Sequence, residues 1–252
     1  MPETAKINHE EENARLLVQY GELAELAGAL AHEIKNPLSV IRMNMDLLEE
    51  DLANAETPKE RRALNKIATV SKQCTRLENL LNDFLKFARL RELDMHAGNL
   101  NEQIERVLDL FEPQAREASI EITRYLDPDL PSILLHSETL QAALLNLVKN
   151  ALEAMPNGGQ LVVRTRVSRQ GVALDMIDTG CGMDEKTLFK MFEAFYSTKS
   201  GGTGLGLPTA KKIIEAHGGT IDVQSAVGLG TKFTLEFPTP ARLFGESLPP
   251  VE

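Results

Sequence analysis

Apolar residues spaced three and four apart fill two long stretches in the first third of the chain, and this spacing constrains the fold most. The first stretch contains Leu23, Leu26, Leu30, Ile34, Leu38, Ile41, Met45, Leu48 and Leu52. The second contains Ile67, Val70, Cys74, Leu77, Leu81, Phe84 and Ala88. Because this spacing gathers side chains on one helix face, it predicts helices over about residues 11–53 and 58–91.

Residues 54–58, Asn-Ala-Glu-Thr-Pro, separate the two predicted helices. Thr57 can cap the second helix, and Pro58 suits its first helical position. Two long helices joined by a short turn form an antiparallel hairpin. Its apolar stripe is too broad for one partner helix to cover, so we predict a four-helix bundle made by two copies of the chain.

Beyond residues 95–99, which we predict to be a linker, helices and strands alternate. Helices are predicted at 101–118, at 137–155 with Ser137 as its cap, from 184, and up to 216. Strands are predicted at 120–126, 161–167, 172–178, 220–224 and 231–237. Four prolines after residue 237 predict a flexible tail. The predicted domains are residues 1–94, 95–240 and, for the tail, 241–252.

Charge and composition exclude several classes of function. The chain has 252 residues and a formal net charge of −10, whereas a nucleic-acid-binding protein needs a basic patch. No apolar run approaches the ~20 residues that span a bilayer, so no membrane segment is expected. Cys74 and Cys181 lie far apart and form neither a disulfide framework nor a metal-ligand spacing, which fits a cytoplasmic protein.

A glycine-rich loop before a predicted helix indicates a phosphate site near the C-terminal end. Gly202, Gly204 and Gly206 let the backbone approach a ligand closely because no Cβ intervenes. The helix that follows carries one apolar side, made of Ala210, Ile213, Ile214 and His217. A loop that opens a helix binds anions, since unpaired N–H groups and the helix dipole both favour phosphate.

Two segments upstream of this loop make the whole set typical of an ATP site. Asn146 and Asn150 lie one helical turn apart, and their amides offer oxygens to a hard cation. Asp178 ends an apolar strand and is followed by Gly180 and Gly182. A carboxylate at that point can accept a hydrogen bond from the adenine amino group, which would select ATP over GTP.

The motifs do not match two common kinds of phosphate site. The chain contains no G-x-x-x-x-G-K-[ST] pattern of Walker NTPases and no V-A-I-K, H-R-D and D-F-G set of Ser/Thr/Tyr kinases. The order Asn…Asn, Asp-x-Gly-x-Gly, Gly-x-Gly-x-Gly instead resembles the GHKL superfamily. That superfamily holds sensor histidine kinases, type II topoisomerase ATPase domains, a heat-shock chaperone and mismatch-repair clamps.

His32 lies within Ala-His-Glu-Ile-Lys-Asn-Pro-Leu, residues 31–38 of the first predicted helix. We expect it to lie off the apolar stripe and to face solvent, where a lone histidine usually has no role. Asn36 lies on the same helix face as His32. Pro37 destabilises a helix interior by ~3 kcal/mol, so a proline at this position is expected to have a function. The octet resembles the H-box of sensor histidine kinases of the nitrogen-regulation-like subgroup, and the resemblance extends over about residues 22–238.

This resemblance implies a multidomain α and α+β fold. A helical-hairpin dimerisation domain, which forms the four-helix bundle in a homodimer, precedes a GHKL α/β-sandwich ATP-binding domain. His32 would be the phosphoacceptor, Glu33 would hold the proton of its other ring nitrogen, and Asn36 would orient water for dephosphorylation of the partner. The phosphoryl group would pass from ATP to His32 and then to an Asp of a response-regulator receiver domain.

The resemblance also assigns roles in the ATP domain. Asn150 would be the Mg²⁺ ligand, and Asn146 would lie on the phosphate side. Lys199 would pair with the γ-phosphate as a point charge. Thr231 would complete the adenine contact through water, although an ordinary strand threonine explains it nearly as well.

Three further side chains near these motifs receive structural interpretations. Phe192 and Phe195 lie within Phe-Glu-Ala-Phe-Tyr-Ser-Thr-Lys, which resembles the F-box and short ATP lid, and both are predicted to be core anchors. Lys149 is predicted to face solvent.

Two other classes of function stay open. A GHKL ATPase clamp or chaperone would close on ATP without phosphotransfer. Such relatives place a glutamate where Asn146 stands, to activate water, and they leave the octet around His32 unexplained. A non-catalytic dimerising scaffold would leave the intact nucleotide motifs without a use.

Overall fold

A computed structural model of the chain describes residues 31, 33–54, 57–88, 93–199 and 202–240. His32, the predicted helical residues 11–30 and the predicted tail at 241–252 lie outside the described residues. The chain divides into two compact units, residues 1–91 and residues 92–252. Within the described ranges, no helix is long and apolar enough to cross a membrane.

The first unit contains a helical hairpin. Helix α1 includes residues 33–51, and helix α2 spans Pro58–Ala88. The predicted start of α2 is confirmed, because the Glu60 N–H donates to Thr57 Oγ1 at 3.2 Å and the Thr57 N–H donates to the Glu60 carboxylate at 2.9 Å. This reciprocal pair is a capping box. Arg42 on α1 donates to Glu78 on α2 at 3.0 Å and joins the two helices.

Much of the apolar surface of this hairpin stays exposed. Leu38, Ile67 and Cys74 are buried. The exposed apolar side chains are Ile34, Val40, Ile41, Met43, Leu47, Leu48, Val70 and Leu77. Exposed apolar patches of this kind mark interaction surfaces. The hairpin therefore offers the surface that the predicted four-helix bundle requires.

The second unit is an α/β sandwich. Its helices are α3 (Leu100–Glu117), α4 (Ser137–Glu153), α5 (Glu185–Lys190) and α6 (Gly206–Ala216). Its strands are β1 (His96–Gly98), β2 (Ile120–Tyr125), β3 (Ile133–Leu135), β4 (Gly159–Ser168), β5 (Gly171–Asp178), β6 (Thr220–Ala226) and β7 (Gly230–Phe237). The five-stranded sheet has the order β2-β4-β5-β7-β6, and only the β2–β4 pair is parallel.

One face of this sheet packs against helices α3 and α4. Residues of one strand alternate between the two faces, so Leu174 and Met176 of β5 point to the same side. Together with Val163 of β4 they meet apolar side chains of the two helices, namely Ile104, Val107, Leu108, Leu144 and Val148. This core holds α4 against the central strands.

Two predictions about the helices and strands of this unit are wrong. Residues 95–99, predicted to be a linker, contain β1, which pairs antiparallel with the unpredicted strand β3. Strands of three residues are too short to show the alternation by which strands are predicted. Helix α4 is capped by His136 rather than Ser137, because His136 Nδ1 accepts the Thr139 N–H at 3.4 Å.

A buried carboxylate ties the central strands together on the opposite sheet face. Asp175 of β5 is fully buried, and its oxygens accept hydrogen bonds from Arg164 on β4 and Thr234 on β7, each at 2.8 Å. Lys232 lies 3.4 Å away. Burial raises the pKa of Asp175, but the hydrogen bonds from Arg164 and Thr234 and the charge of Lys232 lower it to about 2.

We expect Asp175→Asn to lower the free energy of unfolding at pH 7 by about 2 kcal/mol, since each pKa unit is worth 1.36 kcal/mol. Because the folded-state pKa lies below the usual value of 3.8, the stabilisation is present above that pH. It is lost as the pH falls through about 2. Urea unfolding of parent and variant between pH 7 and pH 2.5 should show a difference that shrinks in acid. Asp222→Asn, on exposed β6, is the control, and a difference that persists in acid would contradict this account.

Candidate ATP-binding site

The predicted site residues of the second unit lie on three neighbouring elements. Asn146 and Asn150 belong to α4, Asp178 is the last residue of β5, and Gly206 is the first residue of α6. A Cβ added to Gly206 would lie 3.6 Å from the Asn146 Oδ1 atom. The glycine-rich loop therefore reaches the asparagine face of α4.

Asp178 is a buried hydrogen-bond acceptor at the end of β5. The residue is 4% exposed, and Oδ1 accepts the N–H groups of Gly180 at 2.9 Å and Thr231 at 3.2 Å. Among the described residues no donor is bonded to Oδ2, which leaves that oxygen for a ligand. Burial raises the pKa of Asp178, although the two main-chain donors and the charge of Lys199 act in the opposite direction.

Thr231 lies directly opposite Asp178 in the β5–β7 pairing, as the adenine-site prediction requires. Its N–H donates to Asp178, whereas its hydroxyl lies 2.9 Å from the Ser225 hydroxyl on β6. The hydroxyl contact is that of an ordinary strand threonine. The position opposite Asp178 fits a residue of the adenine site, whereas the hydroxyl contact fits a structural threonine, so both interpretations of Thr231 stay open.

Four of the predicted ligand glycines are also needed for packing of the protein itself. A Cβ on Gly180 would lie 2.7 Å from the Ala154 Cβ, and the close approach lets the Cys181 N–H donate to the Ala154 carbonyl at 3.0 Å. Gly204 has a φ of +68°, and its carbonyl accepts the Phe195 N–H at 3.0 Å. Gly182 is likewise packed against Ala226, and Gly202 against Ser197.

The start of α6 is suited to phosphate. Its N-cap residue, Leu205, is fully buried and makes no side-chain capping bond, so the first N–H groups of the helix remain available to an anion. The predicted apolar side of the helix is confirmed, because Ala210, Ile213, Ile214 and His217 are all buried. Burial of this side holds the N-terminal end of α6 beside α4.

Lys199 makes an unpredicted pair of contacts. Its ammonium group donates hydrogen bonds to the Asn150 side-chain oxygen and, at 2.6 Å, to the Glu153 carboxylate. Sequence reasoning missed Glu153. The signal was its position three residues after Asn150, which places both side chains on the same helix face.

Sequence reasoning placed His217 on the buried side of α6 but missed its hydrogen bonds. Its ring Nε2 accepts the His136 N–H at 3.1 Å, and its Nδ1 lies 2.7 Å from the Ile213 carbonyl oxygen. Burial lowers the pKa of His217, which favours the neutral ring that this arrangement needs. The ring thereby joins the C-terminal end of α6 to the N-terminal cap of α4.

The side chains around the motifs give mixed outcomes. The prediction that Phe195 is a core anchor is wrong, because this residue is 60% exposed and has a φ of +68°. The left-handed backbone turns its side chain outward, which no spacing pattern reveals. Phe192 is partly buried, and the Lys211 ammonium lies 5.0 Å from its ring centre. Lys149 is exposed, as predicted.

The residues of the predicted H-box belong to the first unit. His32 lies outside the described residues. Glu33 and Asn36 are both exposed on α1, and Pro37 lies within the helical segment 33–51. Glu33 and Asn36 therefore lie in a different unit from the residues around Asp178.

We expect Asp178→Asn to weaken ATP binding by on the order of 1 kcal/mol or more, since the charge that strengthens the adenine hydrogen bond is lost. Stability should be unchanged or higher, because burial raises the pKa of this carboxyl and so disfavours its charged form. Calorimetric titration with ATP and thermal unfolding measure the two effects. Asp222→Asn controls for loss of a negative charge, and unchanged ATP affinity in Asp178→Asn would make the adenine assignment wrong.

Two known protein families match the chain. Residues 136–241 match the histidine kinase-, DNA gyrase B- and HSP90-like ATPases, and residues 22–93 match the His Kinase A (phospho-acceptor) domain. The first range contains every predicted ATP-site residue. The second contains His32, Glu33 and Asn36.

Comparison with individual proteins also identifies histidine kinases as relatives of this chain. The sensor histidine kinase ZraS of Klebsiella oxytoca is 35% identical over 217 residues, which are 86% of this chain and 46% of the relative. The chain thus spans less than half of that protein. Full-length ShkA in complex with AMPPNP is 30% identical, with a TM-score of 0.68 over 85% of this chain and 45% of ShkA.

A further solved structure contains the histidine kinase ThkA in complex with the response regulator protein TrrA. It is 28% identical, with a TM-score of 0.64, and covers 93% of this chain and 67% of that chain. The match therefore includes both units. With a phospho-acceptor helical hairpin followed by a GHKL ATPase domain, this chain belongs to the sensor histidine kinases of two-component systems.

Proposed function

We propose that the chain uses ATP to phosphorylate His32 and passes the phosphoryl group to an aspartate of a response-regulator receiver domain. The ATP-binding part of the proposal rests on the buried Asp178 carboxylate, whose Oδ2 is left for a ligand, and the uncapped start of α6 supports it. The ShkA complex with AMPPNP and the ThkA complex with TrrA support the nucleotide and the partner.

In this proposal the second unit binds and orients ATP. Asp178 accepts a hydrogen bond from the adenine amino group, and the first N–H groups of α6 bind phosphate oxygens. Asn150 fits a Mg²⁺ ligand, because its side-chain oxygen already contacts a cation, the Lys199 ammonium. Mg²⁺ would neutralise phosphate charge when bound. Lys199 provides a positive charge for the γ-phosphate.

His32 acts as the nucleophile. A histidine with an ordinary pKa near 6.5 is mostly neutral at pH 7, so one ring nitrogen has a lone pair for the γ-phosphorus. A nitrogen–phosphorus bond forms, the bond between the γ-phosphorus and the β,γ-bridging oxygen breaks, and ADP leaves. Glu33 holds the proton of the other ring nitrogen, and its exposed position on α1 leaves it free to do so.

The proposal includes a homodimer, a cytoplasmic location and phosphatase activity toward the phosphorylated regulator. The exposed apolar side chains of α1 and α2 support the homodimer. The need for ATP and the two unpaired cysteines, Cys74 and Cys181, support the cytoplasm. We retain residues 1–94, 95–240 and 241–252 as the proposed domain boundaries.

The alternative of an ATPase clamp is less well supported. Asn146 stands where the clamp relatives have a glutamate, and an amide cannot take a proton from water. The match of residues 22–93 to a phospho-acceptor domain also favours phosphotransfer.

Replacing His32 with glutamine should abolish labelling by γ-labelled ATP and leave ATP affinity unchanged, since the nucleotide residues belong to the other unit. The label on the parent should be lost in acid and should survive base, as a phosphohistidine does. His96→Gln is the matched control, because His96 is an exposed histidine on β1. Acid-stable label on a serine or threonine would defeat the kinase assignment.

A second variant, Asn36→Ala, should separate two activities. Autophosphorylation should survive, whereas dephosphorylation of the cognate regulator should fall by ~10²-fold, because the amide positions water and takes no part in attack on ATP. Both rates and the melting temperature are measured on one preparation. Asn44→Ala, which removes an exposed asparagine bonded to the Val40 carbonyl on the same helix, is the control. Parallel loss of both activities would favour a purely structural role for Asn36.

A further inference from the structure

Glu153 occupies a position that helix stability does not explain. It is the last residue of α4, and the last turn of that helix contains no basic residue. The helix dipole disfavours a carboxylate at a C-terminal end. A cation from elsewhere in the chain compensates for it, because the Lys199 ammonium lies 2.6 Å from Glu153 Oε2.

The same ammonium group contacts the side-chain oxygen of Asn150. Glu153 and Asn150 are three residues apart on one face of α4, so together they hold one end of the Lys199 side chain. Lys149 also lies near Glu153, but at 4.0 Å and with 65% of its side chain exposed. The main partner of Glu153 is therefore Lys199, which comes from the segment before the glycine-rich loop.

We propose that Glu153 is a positioning residue that competes with the nucleotide phosphates for Lys199 and so sets the affinity for ATP. This inference rests on the proposed ATP-binding function. Without nucleotide, Glu153 holds the ammonium on the Asn150 oxygen. When ATP binds, the ammonium transfers its charge pairing from the Glu153 carboxylate to a phosphate oxygen.

The energy of the pair limits the size of the effect. The side chains of Lys199 and Glu153 are 39% and 41% exposed, and half-exposed ion pairs contribute roughly 0.2–1 kcal/mol. Breaking such a pair during binding weakens the affinity by up to about fivefold. Removing the competitor should therefore tighten nucleotide binding by a similar factor.

The test is a double-mutant cycle on the whole chain, with AMPPNP and Mg²⁺ as the probe in calorimetric titration. Glu153→Gln should lower the Kd by roughly two- to fivefold. Lys199→Met should raise the Kd. Adding Glu153→Gln to Lys199→Met should then leave the Kd unchanged, because the side chain for which Glu153 competes is gone.

Measuring the effect of Glu153→Gln in the Lys199→Met variant separates this proposal from general repulsion between a carboxylate and the triphosphate. Equal tightening with and without Lys199 would show general repulsion and overturn the proposal. Unchanged binding in Glu153→Gln would also overturn it, because removing a competitor must tighten binding. Weaker binding together with a lower melting temperature would show a merely structural role for Glu153 and would overturn it too. Glu215→Gln, which removes the carboxylate of an exposed Lys211–Glu215 pair on α6, should change nothing.

The same titration distinguishes failure of this inference from failure of the proposed function. If the parent chain binds AMPPNP but Glu153→Gln does not tighten the binding, only the role of Glu153 is wrong. If the parent binds no AMPPNP, the proposed ATP-dependent function is wrong, and the competition at Lys199 is wrong with it.

Discussion

The carboxylate of Asp178 closes the end of the central strand β5, and the geometry of the whole candidate site depends on it. A single oxygen accepts main-chain N–H groups from the following loop, at Gly180, and from the neighbouring strand, at Thr231. The loop then packs so closely on the end of α4 that only glycine fits at position 180. The buried carboxylate thereby fixes the positions of the loop and of strand β7 next to the end of helix α4. Its burial carries a desolvation cost, which is seen in the raised pKa of Asp178.

Two carboxylates on β5 show how the same side chain serves structure or ligand binding. Asp175 and Asp178 are three residues apart and so point to opposite sheet faces. Asp175 is surrounded by cationic and hydroxyl donors, which hold its pKa at about 2 and stabilise the sheet. Asp178 faces the helices and receives only main-chain donors at one oxygen. Its pKa is raised by burial, and one oxygen remains for a ligand. A carboxylate whose two oxygens both accept hydrogen bonds from the protein suits a structural role. A carboxylate with one oxygen left over suits ligand binding.

Helix α4 makes one contact at each of its ends through a residue that the motif comparison did not assign, His217 at one end and Glu153 at the other. At its N-terminal end the buried His217 ring accepts the His136 N–H and so joins α6 to α4. At its C-terminal end Glu153 binds Lys199. Between these two points lie Asn146 and Asn150, and a Cβ added to Gly206 at the start of α6 would lie 3.6 Å from the Asn146 Oδ1 atom. The amides are therefore carried by a helix that His217 and the apolar core hold against the sheet, which is the preorganisation that a phosphate site needs.

The sequence by itself determined the order of the longer helices and strands, the helical hairpin with its Thr57 cap, and the family, because these depend on local spacing and on motifs that are continuous in the chain. It also placed Asp178 at a strand end and Ala210 and Ile213 on the buried side of α6. Strands β1 and β3 could not be predicted, since each has three residues and exists only through its pairing with the other. The outward turn of Phe195 and the contacts of Lys199 with Glu153 and of His217 with His136 were decided by the tertiary structure alone. The two contacts join residues 46 and 81 positions apart, and the turn depends on a backbone angle, so side-chain identity fixes none of them.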